Sequence, residues 1–149
     1  MRIAGPELII DRQGEDCGCY LIGLYISREL VLKVGKKGMF RIAGGHAYYA
    51  GSARRALKAR VERHRKKRKP RHWHIDYLTA RKEVKIEDVW ILPGTKTREC
   101  ELAKRLLALP GAEVPVPGFG ASDCKTGCAA HLVWFARQQN IPEKVLQEQ

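Results

Sequence analysis

The chain has 149 residues, 44% hydrophobic and 30% charged, with 28 Lys and Arg against 16 Asp and Glu and a formal net charge of +12. That is one domain of ordinary size, apolar enough to bury a core, and the balance excludes a disordered chain. Uninterrupted apolar stretches are a few residues long, far short of the about 20 that a bilayer-crossing helix needs.

In chain order, the N-terminal MRIAGPELIIDR lacks an apolar signal core followed by a cleavage site, so the cytoplasm is the expected compartment. The five cysteines are an odd number in a reducing setting, which argues against a disulfide framework. Residues 18–26, GCYLIGLYI, are rich in aromatic, aliphatic and β-branched side chains and predict a strand. Residues 30–34 predict a second strand, hairpinned onto the first through Ser27-Arg28-Glu29. Glycines 35, 38, 44 and 45 punctuate the chain before a third strand at 46–50.

A helix follows, with Ser52 as its expected N-cap and Leu57, Arg60, Val61 and His64 on one face. Pro70 ends the pattern. Residues 71–78 predict a short helix or extended turn, 84–92 a strand, 98–109 a helix and 132–135 a last strand, with a peripheral polar tail over about 136–149. The class is α+β over one domain, 1–149: a mostly antiparallel sheet flanked by helices.

The charge is concentrated. Between residues 53 and 71 there are eleven basic residues: Arg54, Arg55, Lys58, Arg60, Arg63, Arg65, Lys66, Lys67, Arg68, Lys69 and Arg71. Glu62 alone opposes them, so this stretch carries +10 of the +12. A focused field of this kind suits a polyanion, DNA ahead of RNA; the plainer alternative is a solvated helix face.

Five groups of residues could carry chemistry. Tyr20 and Tyr49 lie in strands whose pairing would bring both phenols to one surface, as donors, acceptors or bases. Arg60 projects near the same boundary, one turn before His64, where a guanidinium can clamp a phosphate. On the later helix Glu99 shares a face with Leu102, Ala103 and Leu106, where a carboxylate must be paired or metal-bound; Glu101 groups with Lys104 and Arg105 and is the reserve candidate. Cys124, Cys128 and His131 have spacing that can gather soft ligands, with Cys17, Cys19 or Cys100 as a fourth. They lack the second tight ligand pair of structural zinc sites, so zinc is not the expected cofactor. His72, Trp73, His74, Asp76 and Tyr77 could stack on a base or support a tyrosine. Each group also has a structural reading, as half-buried strand aromatics, a helix-dipole acid or satisfied core histidines.

Gly18-Cys19-Tyr20 and Tyr49-Ala50-Gly51 resemble the two signature segments of the GIY-YIG nuclease superfamily, and Gly51-Ser52-Ala53…Leu57…Arg60-Val61…His64 resembles its following helix. More closely, the ordered series GCYLIGLYI, VGKKG, YYAGSA, RHWHIDYL, ECELA and FGASDCKTGCAAHL resembles the DUF123 branch. The resemblance implies a small sandwich around an antiparallel sheet and Mg²⁺- or Mn²⁺-dependent phosphodiester cleavage with one ion. In it Tyr20 leads to the attacking water, Tyr49 orients nucleophile or phosphate, Arg60 stabilises the phosphoryl charge and His64 stands nearby. Glu99 holds the metal. The separation of the two tyrosines, longer than the family's, implies a hairpin inserted at about 30–45. The implied partner is nucleic acid, handled beside a repair or RNA-processing enzyme. The rival readings are a non-catalytic nucleic-acid-binding module and, behind it, a zinc-dependent structural module.

Overall fold

The central strand is hydrophobic along its whole length because both of its faces are covered. The computed structural model describes residues 2–3, 17–93, 99–121, 127–141 and 145. In it β2 (Gly18–Ile26) lies between β5 (Gly45–Ala53) and β6 (Val84–Pro93), flanked outside by β1 (Arg2–Ile3) on β6 and β7 (Leu132–Phe135) on β5. All four pairings are antiparallel. Alternation along the strands sends side chains to two separate cores. Tyr20, Ile22, Leu24, Ala47, Tyr49, Val89 and Ile91 face one side, under α1 (Leu57–Arg65) and α2 (His74–Thr79). Cys19, Leu21, Tyr48, Ala50, Trp90 and Leu92 face the other, under α3 (Glu99–Leu107). The expected α+β sandwich is thus what forms. Val145, in the segment expected to be a peripheral tail, is buried in this second core, and its carbonyl accepts a hydrogen bond from Arg105 at 3.2 Å.

Two local expectations are corrected. The 30–34 strand does not hairpin onto 18–26: both edges of β2 are already occupied. Instead β3 (Leu30–Lys33) pairs with β4 (Met39–Ile42) in a separate two-stranded ribbon, joined by a 3₁₀ turn at Gly35–Lys37. This ribbon is the insertion between the tyrosines, and its Leu30, Leu32 and Ile42 pack into the core beneath α1 and α2. Ser52 does not cap the helix either. The ladder with β2 continues through Cys19↔Ser52 to Gly18↔Ala53, so Ser52 is still strand. The helix starts at Leu57, after Ala56 in a left-handed conformation (φ 54°). Leu57, Val61 and His64 form its buried stripe, as their spacing predicts.

Candidate active site

Tyr20 and Tyr49 project from adjacent strands onto the same sheet face, with ring centroids 6.4 Å apart. The residue opposite Tyr20 is Gly51, and the phenol ring lies directly across it. A β-carbon there would sit 2.5 Å from Cζ and Oη of Tyr20. The ring has no room to retreat, being 1% exposed and hydrogen-bonded. Gly51→Ala is therefore expected to destabilise the fold by about 1–3 kcal/mol, read as a lower urea midpoint at unchanged slope. A neutral substitution would mean that the ring can move aside. Gly120, at φ +73°, approaches Tyr49 in the same way, and its N–H donates to His74 Nδ1 at 2.9 Å.

His64 reaches down from α1 and meets the Tyr20 hydroxyl, Nε2 to Oη, at 2.8 Å. Burial pushes the Tyr20 phenol pKa up; the charge and hydrogen bond of Arg60 pull it the other way, and Glu99 and Asp76 add to the rise. Tyr49 is raised for the same reason, burial first and then Tyr20 and Glu99. The phenol and the imidazole share one hydrogen bond, whose donor is set by the His64 tautomer. Burial draws the His64 pKa down to about 3, with Lys69, Arg60 and Arg63 reinforcing it and Asp76 opposing. The imidazole is therefore neutral at pH 7, and its Nδ1 is buried with no hydrogen-bond partner among the described residues.

The unfolded chain protonates His64 as pH falls through about 6.5. The folded chain does not until about pH 3. Its contribution to stability is thus complete above about pH 6.5 and is lost progressively towards pH 3. Between those values the urea midpoint of the wild type should fall more steeply than that of His64→Gln; parallel curves would contradict a neutral buried His64.

Above the phenols lies a polar rim. Arg60 donates from Nη1 to the carbonyl of Ser52 at 2.9 Å, and its guanidinium lies 4.3 Å from the Trp73 ring centroid. The Ser52 hydroxyl donates to Glu99 Oε1 at 3.0 Å. Ser52 thereby ties the arginine of α1 to the carboxylate of α3, a role its expected place as a helix cap concealed. The Glu99 side chain is 30% exposed and its Oε2 stands 3.8 Å from His131 Nδ1. Glu101 points elsewhere: its side chain is 56% exposed and pairs with Arg105 one turn on. Tyr20, Tyr49, Arg60, His64 and Glu99 therefore lie around one locus.

Asp76 fixes the supporting wall. It is fully buried, takes both arms of Arg63 at 2.7 and 3.1 Å, and accepts the backbone N–H groups of His72 and Trp73, each at 2.8 Å. Burial pushes its carboxyl up, but Arg63 and the two amides outweigh that and hold it below the usual range. His72 packs on Trp73 and His74 accepts from Gly120, so the tyrosine's histidine partner is His64 rather than either of these.

The basic run divides into two populations. Arg54, Arg55, Lys58, Lys66, Lys67, Arg68 and Arg71 are exposed, whereas Arg63 and Lys69 are half-buried. Arg63, Lys67 and Lys69 are tied to the protein itself: Arg63 binds Asp76, Lys67 donates to the carbonyls of Thr79, Arg81 and Val84, and Lys69 to those of Arg63 and His64 and to the Thr79 hydroxyl. Burial lowers the Lys69 pKa to about 8. Arg65 is half-buried and, with His64, Lys82 and Lys85, lines a cleft of about 360 Å³. Among the described residues, His64 is the one member of the tyrosine cluster that also lines this cleft.

Of the trio Cys124, Cys128 and His131, the last two meet, and Cys100 joins them from the first turn of α3. Cys124 lies outside the described residues.

No curated protein and no solved structure matches the chain. A family model does, the one described as "Domain of unknown function DUF123", and it spans residues 19–148. That range takes in β5, β6, β7, all of β2 but its first residue, both helical layers and every residue of the tyrosine cluster, so the chain belongs to the DUF123 family.

Proposed function

We propose that the protein binds nucleic acid, DNA ahead of RNA, along the exposed ridge of 54–71 and hydrolyses phosphodiester bonds at the rim formed by Arg60, Ser52 and Glu99. The observation that carries this reading is the meeting of two phenols, a guanidinium and a carboxylate from four separate elements beside a cationic surface. Random placement of such groups would leave them dispersed and solvated.

A single Mg²⁺ or Mn²⁺ suits the donor set. Glu99 Oε1 accepts from the Ser52 hydroxyl at 3.0 Å, and Oε2 stands 3.8 Å from His131 Nδ1. One carboxylate oxygen completed by waters and phosphate oxygens is an ordinary Mg²⁺ arrangement. Such an ion supplies Lewis-acid polarisation of the phosphate and a more acidic bound water. Arg60 would bind a non-bridging phosphate oxygen with the donors its Ser52 contact leaves available, held flat by Trp73. Tyr20 and His64 form a neutral hydrogen-bonded pair that would support Arg60 from below. Tyr49 packs beside them, with Gly120 close against its ring.

The burial of both phenols favours a second reading, a non-catalytic binding module in which the cluster is purely architectural. A nuclease panel separates the two. Duplex, branched and single-stranded DNA and RNA should be bound with strong salt dependence, and at least one substrate should be cut with Mg²⁺ or Mn²⁺ and spared with EDTA. Binding without cleavage across the panel would overturn the catalytic reading and leave the module.

A further inference from the structure

Cys100 Sγ lies 3.5 Å from His131 Nε2, and the ligating atoms of Cys100, Cys128 and His131 all fall within 4.8 Å of one another. A tetrahedral ion with sulfur at about 2.3 Å and imidazole nitrogen at about 2.0 Å sets those two atoms about 3.5 Å apart. The observed spacing is therefore the edge of a metal tetrahedron as well as the length of a thiol hydrogen bond. Three further features favour the metal. Cys100 sits in the first turn of α3 (Glu99–Leu107), where the helix dipole favours a thiolate. His131 is buried and its main chain is held on both sides, its backbone N–H donating to the Phe119 carbonyl at 2.7 Å and its carbonyl accepting from the Ala50 N–H at 3.0 Å, so the position from which its ring projects is fixed. And its other nitrogen, Nδ1, is buried without a hydrogen-bond partner among the described residues and lies 3.8 Å from Glu99 Oε2. A carboxylate drawn onto that nitrogen when Nε2 binds a metal would satisfy it and fix the tautomer that leaves Nε2 to ligate.

We propose that Cys100, Cys128 and His131 form a zinc site, with a water or a further thiolate completing the four ligands, and that Glu99 is its outer-shell carboxylate. The two sulfurs and one nitrogen select a soft ion over Mg²⁺. The sequence offers Cys128 and His131 as a possible pair and Cys100 as one of three candidates to join them, but Cys100 stands 28 residues before Cys128 and only the fold brings it to the pair. Its consequence is mechanical: the zinc would stiffen the junction of α3 with the 127–131 loop and orient, through His131, the same carboxylate that Ser52 holds. The inference stands whether or not the protein cuts nucleic acid.

Titration of the reduced, metal-free full-length chain with Co²⁺ is the direct test. The expected result is a one-equivalent end point with thiolate-to-cobalt charge-transfer bands and tetrahedral d–d bands, bleached by Zn²⁺. Cys128→Ser should lose most of the charge-transfer intensity and Cys17→Ser none. Glu99→Gln should weaken Zn²⁺ binding about 10- to 100-fold, with Glu101→Gln unchanged. Absence of thiolate bands in the wild type overturns the site, and needs no variant to fold. Equal Zn²⁺ affinity in Glu99→Gln and the wild type overturns the coupling to Glu99.

Discussion

Replacing Arg60 with alanine is expected to slow metal-dependent cleavage by about 10²-fold or more while leaving nucleic-acid affinity within a few-fold of wild type. The separation follows from where the charges lie. On the proposed reading seven exposed cations, Arg54, Arg55, Lys58, Lys66, Lys67, Arg68 and Arg71, would provide the sequence-independent attraction, and removing one neighbour would change that sum little. Arg60 differs in kind: it is half-buried, stacked on Trp73 and anchored to the Ser52 carbonyl, so its fork would be positioned in advance for charge that develops in the proposed reaction. Arg60→Lys keeps the charge but loses the planar fork and the ring stacking, so it should recover only part of the rate. Single-turnover rates at saturating protein, measured beside binding isotherms, check both halves. A loss confined to affinity would make Arg60 one more member of the ridge.

Asp76→Ala is expected to produce the largest loss of stability, about 3–5 kcal/mol. The carboxylate is fully buried and satisfies four donors: both arms of Arg63 and the backbone N–H groups of His72 and Trp73. Removing it strands a half-buried guanidinium and two amides together, which costs far more than the pair contributes net. The Trp73 ring would also lose its anchor, and with it the platform beneath Arg60. Asp76→Asn keeps the shape and part of the hydrogen bonding, so an intermediate loss is expected. Urea unfolding of the three proteins at pH 7 measures this, and a loss under 1 kcal/mol for the alanine variant would show that Arg63 finds another partner.

The strands were legible because burial dictates their composition. GCYLIGLYI reads as strand since both of its faces are covered, and 132–135 likewise. What the sequence hid was pairing. Proximity along the chain suggested that 30–34 would fold back on 18–26, but strands arriving later, β5 and β6, take both edges of β2. The same blindness affected Ser52: a serine before a helical stripe looks like a cap until the strand ladder is seen to run through it. Tyr20, Tyr49, Arg60, His64 and Glu99 were visible by motif and helical phase, and the structure gathers them. The division of the basic run was not visible. Lys67 and Lys69 become clips only because carbonyls in the last turn of α1, at the end of α2 and at the start of β6, 5 to 17 residues away, come within reach. Spacing alone also could not bring Cys100 to Cys128 and His131, since that meeting depends on how α3 packs on β5 and β7.

Glu99 and Arg60 would act together on one phosphate beside the phenols. Single-turnover cleavage of end-labelled duplex and branched DNA with Mg²⁺, by the wild type beside Glu99→Gln, is the decisive measurement. Cutting by the wild type is expected, with a rate about 10²-fold lower for the glutamine variant and both proteins binding the substrate alike. Equal rates for the two, or a wild type that binds every substrate and leaves each intact, would contradict that joint action.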